Sequence, residues 1–298
     1  MREPQYECVF KDYASLDDFF KSGKNHLQKG PIALIFAEDE VELASTILHH
    51  SKLGFVEIII FTKAMPTLPS EIKSKLVSVY VDLFNSSEVS AIINKINILA
   101  SGQWIYFCYN AEYLFFPFCE TRSVAELLNF HSEERREAML TFVVDIYTKD
   151  FTNPAEATLT ENAYLDEAGY FAMARSDPQT HRAMDRQLDF FGGLRWRFEE
   201  YVPYEKRKID RISIFKANKG INISKNYTFD NQEYNTYACP WHNNLTAAVV
   251  SFRAAKALMS NPDSKSEIKD LSWEHSTHFK WHSSQLLDLG LIEPGQWF

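Results

Sequence analysis

The stretch "PIALIFAEDEVELASTILHHSKLGFVEIIIF" at positions 31–61 decides the fold class. It begins with a short apolar run of the kind that forms a buried strand. An amphipathic segment follows, in which Asp39 and Glu42 suit the start of a helix and Gly54 suits its end. A second apolar run over 56–61 completes a strand–helix–strand unit, and such a unit predicts parallel pairing of its two strands.

The same alternation continues along the chain. Apolar runs over 76–81 and 104–109 flank an amphipathic helical pattern over 86–100. Beyond them, a capping box at Ser123 predicts another helix, and the run over 140–147 predicts another strand. The sequence therefore predicts an α/β fold, with a mainly parallel sheet of nucleotide-binding type flanked by helices.

The second half of the chain is less regular. Residues 148–188 are polar, which favours an irregular lid or binding loop. The segment "LTAAVVSFRAAKALMSNP" predicts a helix that Pro262 terminates. We therefore expect one main domain over 31–262, an N-terminal extension over 1–30, and a helical, aromatic tail over 263–298 that packs on the domain.

Composition limits the classes of partner. The 298 residues carry a formal charge of −9, which argues against a nucleic-acid backbone or an anionic membrane as the main partner. The four cysteines are scattered without paired spacing, the N-terminus has no apolar signal core, and no apolar run is long enough to span a bilayer. These features favour a cytoplasmic chain with free thiols. Neither of the common glycine-rich phosphate motifs is present.

Polar side chains interrupt the aromatic run "WIYFCYNAEYLFFPFCETR" that starts at Trp104. Asn110 and Glu112 follow the predicted strand over 104–109, so they fall at the edge of the sheet where ligands bind in α/β folds. We interpret them as candidate ligand-binding residues. The structural alternative is that Glu112 pairs with an arginine and that Asn110 caps a turn.

Four segments carry a resemblance to a known family. The chain resembles the family 2 glycosyltransferases with the GT-A fold, and it is most similar to a bacterial branch whose strand-end motif reads DADEFL. The segments that carry the resemblance are "AEDEVELASTILHHSKLGFVEIIIF", "YNAEYLFFPFCETRSV", "LDFFGGLRWRF" and "TYACPWHNNLTAA". Together they extend over roughly residues 31–260.

The resemblance implies a nucleotide-sugar donor and a divalent cation held by an Asp-x-Asp motif. Here either Tyr109 and Ala111 or, with a shift of one residue, Asn110 and Glu112 occupy the places of the two aspartates. By resemblance, Glu112 and His242 are the candidate ligands for Mn²⁺ or Mg²⁺. Because one carboxylate remains where two are expected, we expect the cation to bind weakly.

Cationic side chains could also bind the donor diphosphate. Arg195 and Arg197 follow a Gly-Gly turn, and arginine matches the geometry of phosphate oxygens. Gly193 in that turn would allow the backbone to approach a ligand closely. Trp241 is a candidate for stacking on a sugar or base, although a core position suits a tryptophan equally well.

An inverting transfer needs one carboxylate within reach of the acceptor hydroxyl. Asp189, just before the Gly-Gly turn, is the first candidate for this base, and Asp145 and Asp185 are the alternatives. Three histidines at 275, 278 and 282 lie among aromatic residues, and we interpret them as packing or surface residues.

The sequence thus predicts a glycosyltransferase that moves a sugar from a nucleotide-diphosphate donor to a glycan or other hydroxyl acceptor. By resemblance, the setting is surface polysaccharide or lipopolysaccharide assembly, where a lipid-linked acceptor would bring the chain into peripheral contact with a membrane. Two alternatives remain: a binding protein of the same fold without catalysis, and a structural or assembly protein that uses the fold as a scaffold.

Overall fold

A mixed sheet, most of it parallel, forms the centre of the protein and carries helices on both faces. The computed structural model describes residues 11–69, 72, 76–82, 86–149, 160–239 and 244–297. The strands among these residues are β1 Lys11–Tyr13, β2 Ile32–Phe36, β3 Glu57–Thr62, β4 Leu76–Tyr80, β5 Trp104–Tyr109, β6 Glu112–Phe115, β7 Ala138–Tyr147, β8 Tyr164–Asp166, β9 Phe171–Ser176, β10 Ala183–Phe191, β11 Asp210–Lys216, β12 Ala247–Ser251 and β13 Ser276–His278. The α-helices are α1 Leu16–Ser22, α2 Leu43–Lys52, α3 Ser86–Leu99, α4 Val124–Glu133, α5 Leu194–Arg197, α6 Arg253–Ser260, α7 Pro262–Glu267 and α8 Ser283–Asp288.

The order of strands across the sheet is β1-β4-β3-β2-β5-β11-β7-β12-β6. The first five strands pair in parallel, and β12 pairs in parallel with β7. Strand β11 runs antiparallel to both of its neighbours, and β6 runs antiparallel to β12. The predicted α/β class with a mainly parallel sheet is therefore confirmed.

Helices cover both faces because both faces of the inner strands are apolar. Every residue of β2 is buried. On one face, Phe36 packs in a core with α1 and α3, and on the other face Ile35 packs in a core with α2 and α4. Since a parallel strand between two helical layers must be apolar throughout, the continuous apolar runs in the sequence are the reason for this layered fold.

Local signals fix the starts of two helices. The Ser15 side chain accepts a hydrogen bond from the Asp18 amide at 3.1 Å and caps α1. Ser123 and Glu126 form the reciprocal capping box predicted for α4. Both contacts satisfy amide groups that have no partner inside the helix, so these boundaries could be predicted from the sequence.

The prediction of one continuous helix that ends at Pro262 is wrong for the first half of the segment. Residues Ala247–Ser251 form the fully buried strand β12 between β6 and β7, and only the following residues form α6. Helix α6 does end directly before Pro262, at Ser260 with Asn261 as its C-cap, and Pro262 is the first residue of the next helix, α7. A short apolar run such as Ala-Ala-Val-Val is compatible with a buried helix or a buried strand, and its place between two strands selects the strand.

The prediction of an irregular segment over 148–188 is also wrong for part of that range. Strand β8 pairs with β7 and β13, while β9 and β10 form a separate two-stranded sheet. Residues 150–159 lie outside the described part of the chain. The strands of this region are short or exposed, so their alternation of polar and apolar residues is weak in the sequence.

Both ends of the described chain pack on the same sheet. Strand β1 pairs with β4, and α1 buries Phe19 in the main core, so residues 11–30 form part of this unit. In the tail, β13 pairs with β8, and Phe279 and Leu286 pack on the outer strands of the sheet. None of the helices in the described residues is long and apolar enough to cross a membrane.

Candidate functional site

The strands β2, β5, β7 and β12 all end at one edge of the sheet, which we call the carboxyl edge. Asn110 begins the turn between β5 and β6 there and is buried. Its side chain donates to Asp39 Oδ1 at 2.6 Å and to the Val41 carbonyl at 2.9 Å, and it accepts from the Glu38 amide at 3.0 Å. Asn110 therefore holds the loop that follows β2 against the carboxyl edge, and these long-range contacts differ from the turn cap that was the structural alternative.

Glu112, the first residue of β6, is fully buried. Arg211 donates to both of its carboxylate oxygens, at 3.2 and 2.7 Å, and the Tyr109 amide donates at 2.9 Å. The Ser251 hydroxyl donates to Glu112 Oε1 at 3.3 Å, and an Arg253 nitrogen lies 3.8 Å from the same oxygen. Burial alone would raise the pKa of Glu112, but the charges of Arg211 and Arg253 outweigh it and lower that pKa below its ordinary value.

This arrangement does not fit the divalent cation that the resemblance implies. Both oxygens of Glu112 already accept hydrogen bonds from a guanidinium, and the Asn110 side chain is saturated by protein groups. Within the described residues, no group of three or more His, Cys, Asp or Glu side chains could hold a metal ion. His242 and Trp241, the other predicted cation ligand and the predicted stacking residue, lie outside the described residues.

A second layer of charged residues lies above Glu112 and closer to solvent. Arg253, at the start of α6, donates to both oxygens of Glu38 at 3.0 and 2.7 Å. Its guanidinium lies 3.7 Å from the centre of the Tyr109 ring. One turn further along α6, Lys256 contacts both oxygens of Asp39 at 2.9 and 2.7 Å. Acids from the loop after β2 thus bind cations of α6 across the carboxyl edge.

Asp145 lies in the same row of the sheet as Glu112. Ser251 of β12 is the register partner of Glu112 on one side and of Asp145 on the other. Because directly paired residues project to the same face, the two carboxylates lie on one face of the sheet with a serine between them. Glu112, predicted as a ligand-binding residue, and Asp145, an alternative candidate for the base, are therefore brought to one edge and one face.

The environment of Asp145 differs from that of Glu112. Its side chain has no exposed surface, and Arg195 Nε contacts Oδ1 at 3.2 Å. Within the described residues, Oδ2 has no hydrogen-bond partner. Burial raises the pKa of Asp145, and the Arg195 charge offsets only part of this effect. Asp145 is thus a buried carboxylate with one unsatisfied oxygen at the carboxyl edge.

The Gly-Gly turn before α5 covers Asp145. Gly193 has φ of 62°, and a Cβ atom at this position would lie 3.2 Å from Asp145 Oδ2. A Cβ atom on Gly192 would lie 2.2 Å from the Tyr170 ring. Two glycines therefore allow the backbone to pass directly over these two side chains, whereas the sequence predicted a close approach to a ligand. The Tyr170 hydroxyl is also buried without a partner in the described residues.

Asp189 lies further along the same region, at the end of the β9–β10 sheet. It pairs with Arg175 at 2.7 Å and with Lys208 at 2.7 Å. The Lys208 carbonyl accepts a hydrogen bond from Arg195 at 3.1 Å, and this contact connects Asp189 to the Asp145 region. Both of its oxygens bind cations, so the Asp189 carboxylate is less available as a base than the unsatisfied oxygen of Asp145.

Two other predicted residues have contacts away from this centre. Arg197 pairs with the buried Asp166 at 2.8 Å and lies over the Trp273 ring at 5.1 Å, so it joins α5 to the tail. Asp185 pairs with Arg186 at 2.8 Å and lines a separate polar groove of about 350 Å³. The structure therefore groups Asn110, Glu112, Asp145 and Arg195, connects Asp189 to them, and separates Arg197 and Asp185.

Four charged residues of this site were not identified as candidates from the sequence. They are Glu38, Asp39, Arg253 and Lys256. Glu38 and Asp39 directly follow a predicted strand, which is the same signal that identified Asn110. The two cations of α6 had no such signal because β12 was interpreted as part of a helix.

Comparisons with known proteins do not assign the chain to a family. No model of a known protein family matches it, and no curated protein sequence matches it significantly.

Proposed function

We propose that this protein is a GT-A-like glycosyltransferase that transfers a sugar from a nucleotide-diphosphate donor to a hydroxyl group of an acceptor. The mostly parallel sheet between helices is the frame that such a fold needs, and the charged residues lie at the carboxyl edge, where α/β folds bind ligands. The sequence resemblance over roughly residues 31–260 is the other support.

The observation that carries the proposal is that Asp145 Oδ2 is buried and has no hydrogen-bond partner within the described residues. A general base must accept a proton, and the unsatisfied, buried Oδ2 of Asp145 has a raised affinity for one. In the proposed reaction, Oδ2 takes the proton of the acceptor hydroxyl. The hydroxyl oxygen forms a bond to the anomeric carbon, and the bond from that carbon to the diphosphate oxygen breaks. Because Gly193 covers Oδ2, we expect this turn to shift when an acceptor binds.

The donor diphosphate leaves with additional negative charge, which cationic groups must stabilise. Arg195 contacts Asp145 directly, and Arg253 lies near Glu112, so cations flank the row that contains both carboxylates. Weak binding of Mn²⁺ or Mg²⁺ would depend on oxygens that the donor itself supplies, since Glu112 is engaged by Arg211.

The acceptor is proposed to be a glycan or a lipid-linked sugar of a surface polysaccharide, with catalysis on the cytoplasmic side of a membrane. Trp196 of α5, the helix that contains Arg195, is exposed, and so are Phe171, whose ring lies 6.3 Å from that of Trp196, and Met173 on the same strand as Phe171. Exposed apolar groups beside a catalytic centre would suit the lipid part of such an acceptor or a peripheral membrane contact.

Turnover of a panel of nucleotide sugars tests the proposal. The purified chain is incubated with each donor and a mixture of glycan acceptors, in EDTA and then with added Mn²⁺, and release of the nucleoside diphosphate is measured. We expect release with one donor class and its loss in Asp145→Asn. Absence of release with every donor, together with absence of a thermal shift by any nucleotide, would contradict the proposal.

A second candidate is a GT-A-like binding or assembly protein without catalysis. The observation that favours it is the saturation of Asn110 and Glu112 by protein groups at the place where the family holds its cation. This candidate predicts a thermal shift with a nucleotide or glycan but no release of diphosphate, since a ligand that binds the native state raises the melting temperature without chemistry.

A further inference from the structure

Two ion pairs lie side by side across the carboxyl edge. Arg253 binds Glu38 through two nitrogens, and Lys256 binds Asp39 through contacts to both oxygens. Glu38 and Asp39 are neighbours in the loop after β2. Arg253 and Lys256 are three residues apart on α6, so their side chains project to the same side of the helix. Two adjacent cations therefore face two adjacent carboxylates.

The position of Arg253 does not depend on Glu38 alone. Its guanidinium lies 3.7 Å from the centre of the Tyr109 ring, and Nη1 faces the buried Glu112 at 3.8 Å. An aromatic face and a buried carboxylate both attract a guanidinium. If Glu38 moved away, Arg253 would remain in place and offer two N–H donors toward solvent.

The acids of the two pairs are accessible to solvent. The Glu38 and Asp39 side chains are 41% and 43% exposed, whereas Glu112 and its partner Arg211 are buried. The Arg253 and Lys256 side chains are 27% and 14% exposed, so water and salt reach these ion pairs mainly from the side of the acids, and the pairs contribute less to stability than a fully buried pair. An anion with several oxygens and more than one charge can therefore replace these carboxylates, while the Glu112–Arg211 pair stays closed.

We propose that Arg253 and Lys256 form a metal-independent binding site for a diphosphate group, and that Glu38 and Asp39 occupy this site in the free protein. When a diphosphate enters, the two carboxylates leave the cations, while the hydrogen bonds of Asn110 to the Glu38 amide and the Val41 carbonyl keep the backbone of the loop after β2 at the carboxyl edge. The inference deepens the proposed function by naming the groups that take the donor diphosphate. It does not require sugar transfer, because inorganic pyrophosphate carries the same chemical group.

Variants of the cations and of the acids should have opposite effects. Replacing Lys256 or Arg253 by glutamine removes a charge-assisted contact, so we expect pyrophosphate binding to weaken by about tenfold to a hundredfold. Replacing Glu38 by glutamine or Asp39 by asparagine removes a competing charge, so we expect binding to tighten by about twofold to fivefold. If Glu38 and Asp39 only stabilised the fold and did not compete with the ligand, their replacement would not tighten the binding of pyrophosphate.

The test is titration calorimetry of the full chain with inorganic pyrophosphate in EDTA at low salt, for wild type and the variants Lys256→Gln, Arg253→Gln, Glu38→Gln and Asp39→Asn. Glu199→Gln is the matched control, since Glu199 forms an exposed ion pair with Arg207 at 2.8 Å away from this site. We expect the control to bind as wild type does. Arg253→Gln also leaves Glu112 with one fewer cation, so Lys256→Gln and Glu38→Gln decide the result if that variant fails to fold.

Pyrophosphate binding that requires Mn²⁺, or that is unchanged or weakened in Glu38→Gln, would overturn the inference. Its failure is distinguishable from failure of the proposed function. Binding of pyrophosphate with the expected pattern, but no sugar transfer, would keep this site and reject the enzyme. Sugar transfer without the expected effect of Lys256→Gln and Glu38→Gln on pyrophosphate would keep the enzyme and reject this site.

Discussion

Arg211 donates hydrogen bonds to both carboxylate oxygens of Glu112, at 3.2 and 2.7 Å, and both side chains are buried. The two residues are 99 positions apart in the chain. The pair joins β6, at the outer end of the sheet, to the antiparallel strand β11. It places a fixed, neutralised carboxylate where the resemblance leads one to expect a metal ligand.

The first prediction concerns the stability supplied by this pair. Glu112→Gln keeps the size of the side chain but leaves the Arg211 charge buried without its partner. We expect the free energy of unfolding in urea to fall by about 3–5 kcal/mol. The variant Glu199→Gln, which breaks an exposed ion pair, should lose no more than about 1 kcal/mol of the same free energy. If Glu112→Gln and Glu199→Gln lowered the free energy of unfolding equally, the buried pair would contribute no more to stability than an exposed pair does.

The stability that the Glu112–Arg211 pair supplies should also depend on pH. Because the pKa of Glu112 is lowered in the folded state, the contribution of Glu112 to the free energy of unfolding should be complete at neutral pH and should disappear in acid, as the pH falls through that pKa.

The second prediction separates the two candidate bases. Asp145→Asn should lower the rate of sugar transfer by about a hundredfold to ten-thousandfold, because the proton acceptor is lost. Asp189→Asn should have a much smaller effect, since Arg175 and Lys208 already bind the Asp189 carboxylate.

The rate of sugar transfer by the wild type should also depend on pH. Since the pKa of Asp145 is raised, we expect this rate to increase as the pH rises through that pKa. The measurement is the pH profile of kcat/KM for all three proteins, and a larger loss in Asp189→Asn would reverse the assignment.

The third prediction concerns the Gly-Gly turn. Gly193→Ala introduces a side chain at φ of 62° and places its Cβ 3.2 Å from Asp145 Oδ2. Gly102→Ala is the matched control because Gly102 also has a positive φ, of 91°, but a Cβ there would meet nothing within 4 Å. Both variants should lose roughly 1–3 kcal/mol of stability from backbone strain. Only Gly193→Ala should also reduce sugar transfer. A matching loss of transfer in both variants would mean that strain alone, rather than crowding of Asp145, is responsible.

The fourth prediction concerns the pH dependence of stability. His131 is buried and contacts the Ala138 carbonyl at 2.8 Å through Nε2. Burial lowers the pKa of His131 to about 4. An unfolded histidine has a pKa of about 6.5, so between these values the unfolded chain binds the proton first and stability falls as the pH falls. This residue alone should cost roughly 3 kcal/mol by pH 4.

Urea unfolding between pH 7 and pH 4 measures this effect. His131→Gln retains an N–H group for the Ala138 carbonyl but removes the titration, so its stability should fall less steeply with acid than that of wild type. His278 is exposed, and His278→Gln provides the control. A His131→Gln variant with the same pH slope as wild type would contradict the assigned role of burial.

The sequence by itself determined the α/β class and the strands and helices of the parallel part of the sheet between β2 and β5. The strand predicted over 104–109 was found with those bounds, and the capping box at Ser123 starts α4. These features depend on hydrophobic periodicity and on hydrogen bonds between residues three or four positions apart. Such contacts are local, so the order of residues alone specifies them.

Only the tertiary structure decided the rest. The segment Ala247–Ser251 has no local preference strong enough to exclude a helix, and its place between β6 and β7 made it a strand. That strand supplies Ser251, which aligns Glu112 with Asp145, and it carries Arg253 to the carboxyl edge. The sequence located Glu112 and Asp145 at strand ends, but it could not identify their partners. Pairs such as Glu112–Arg211 join residues distant in the chain, and only the order of strands in the sheet brings them together.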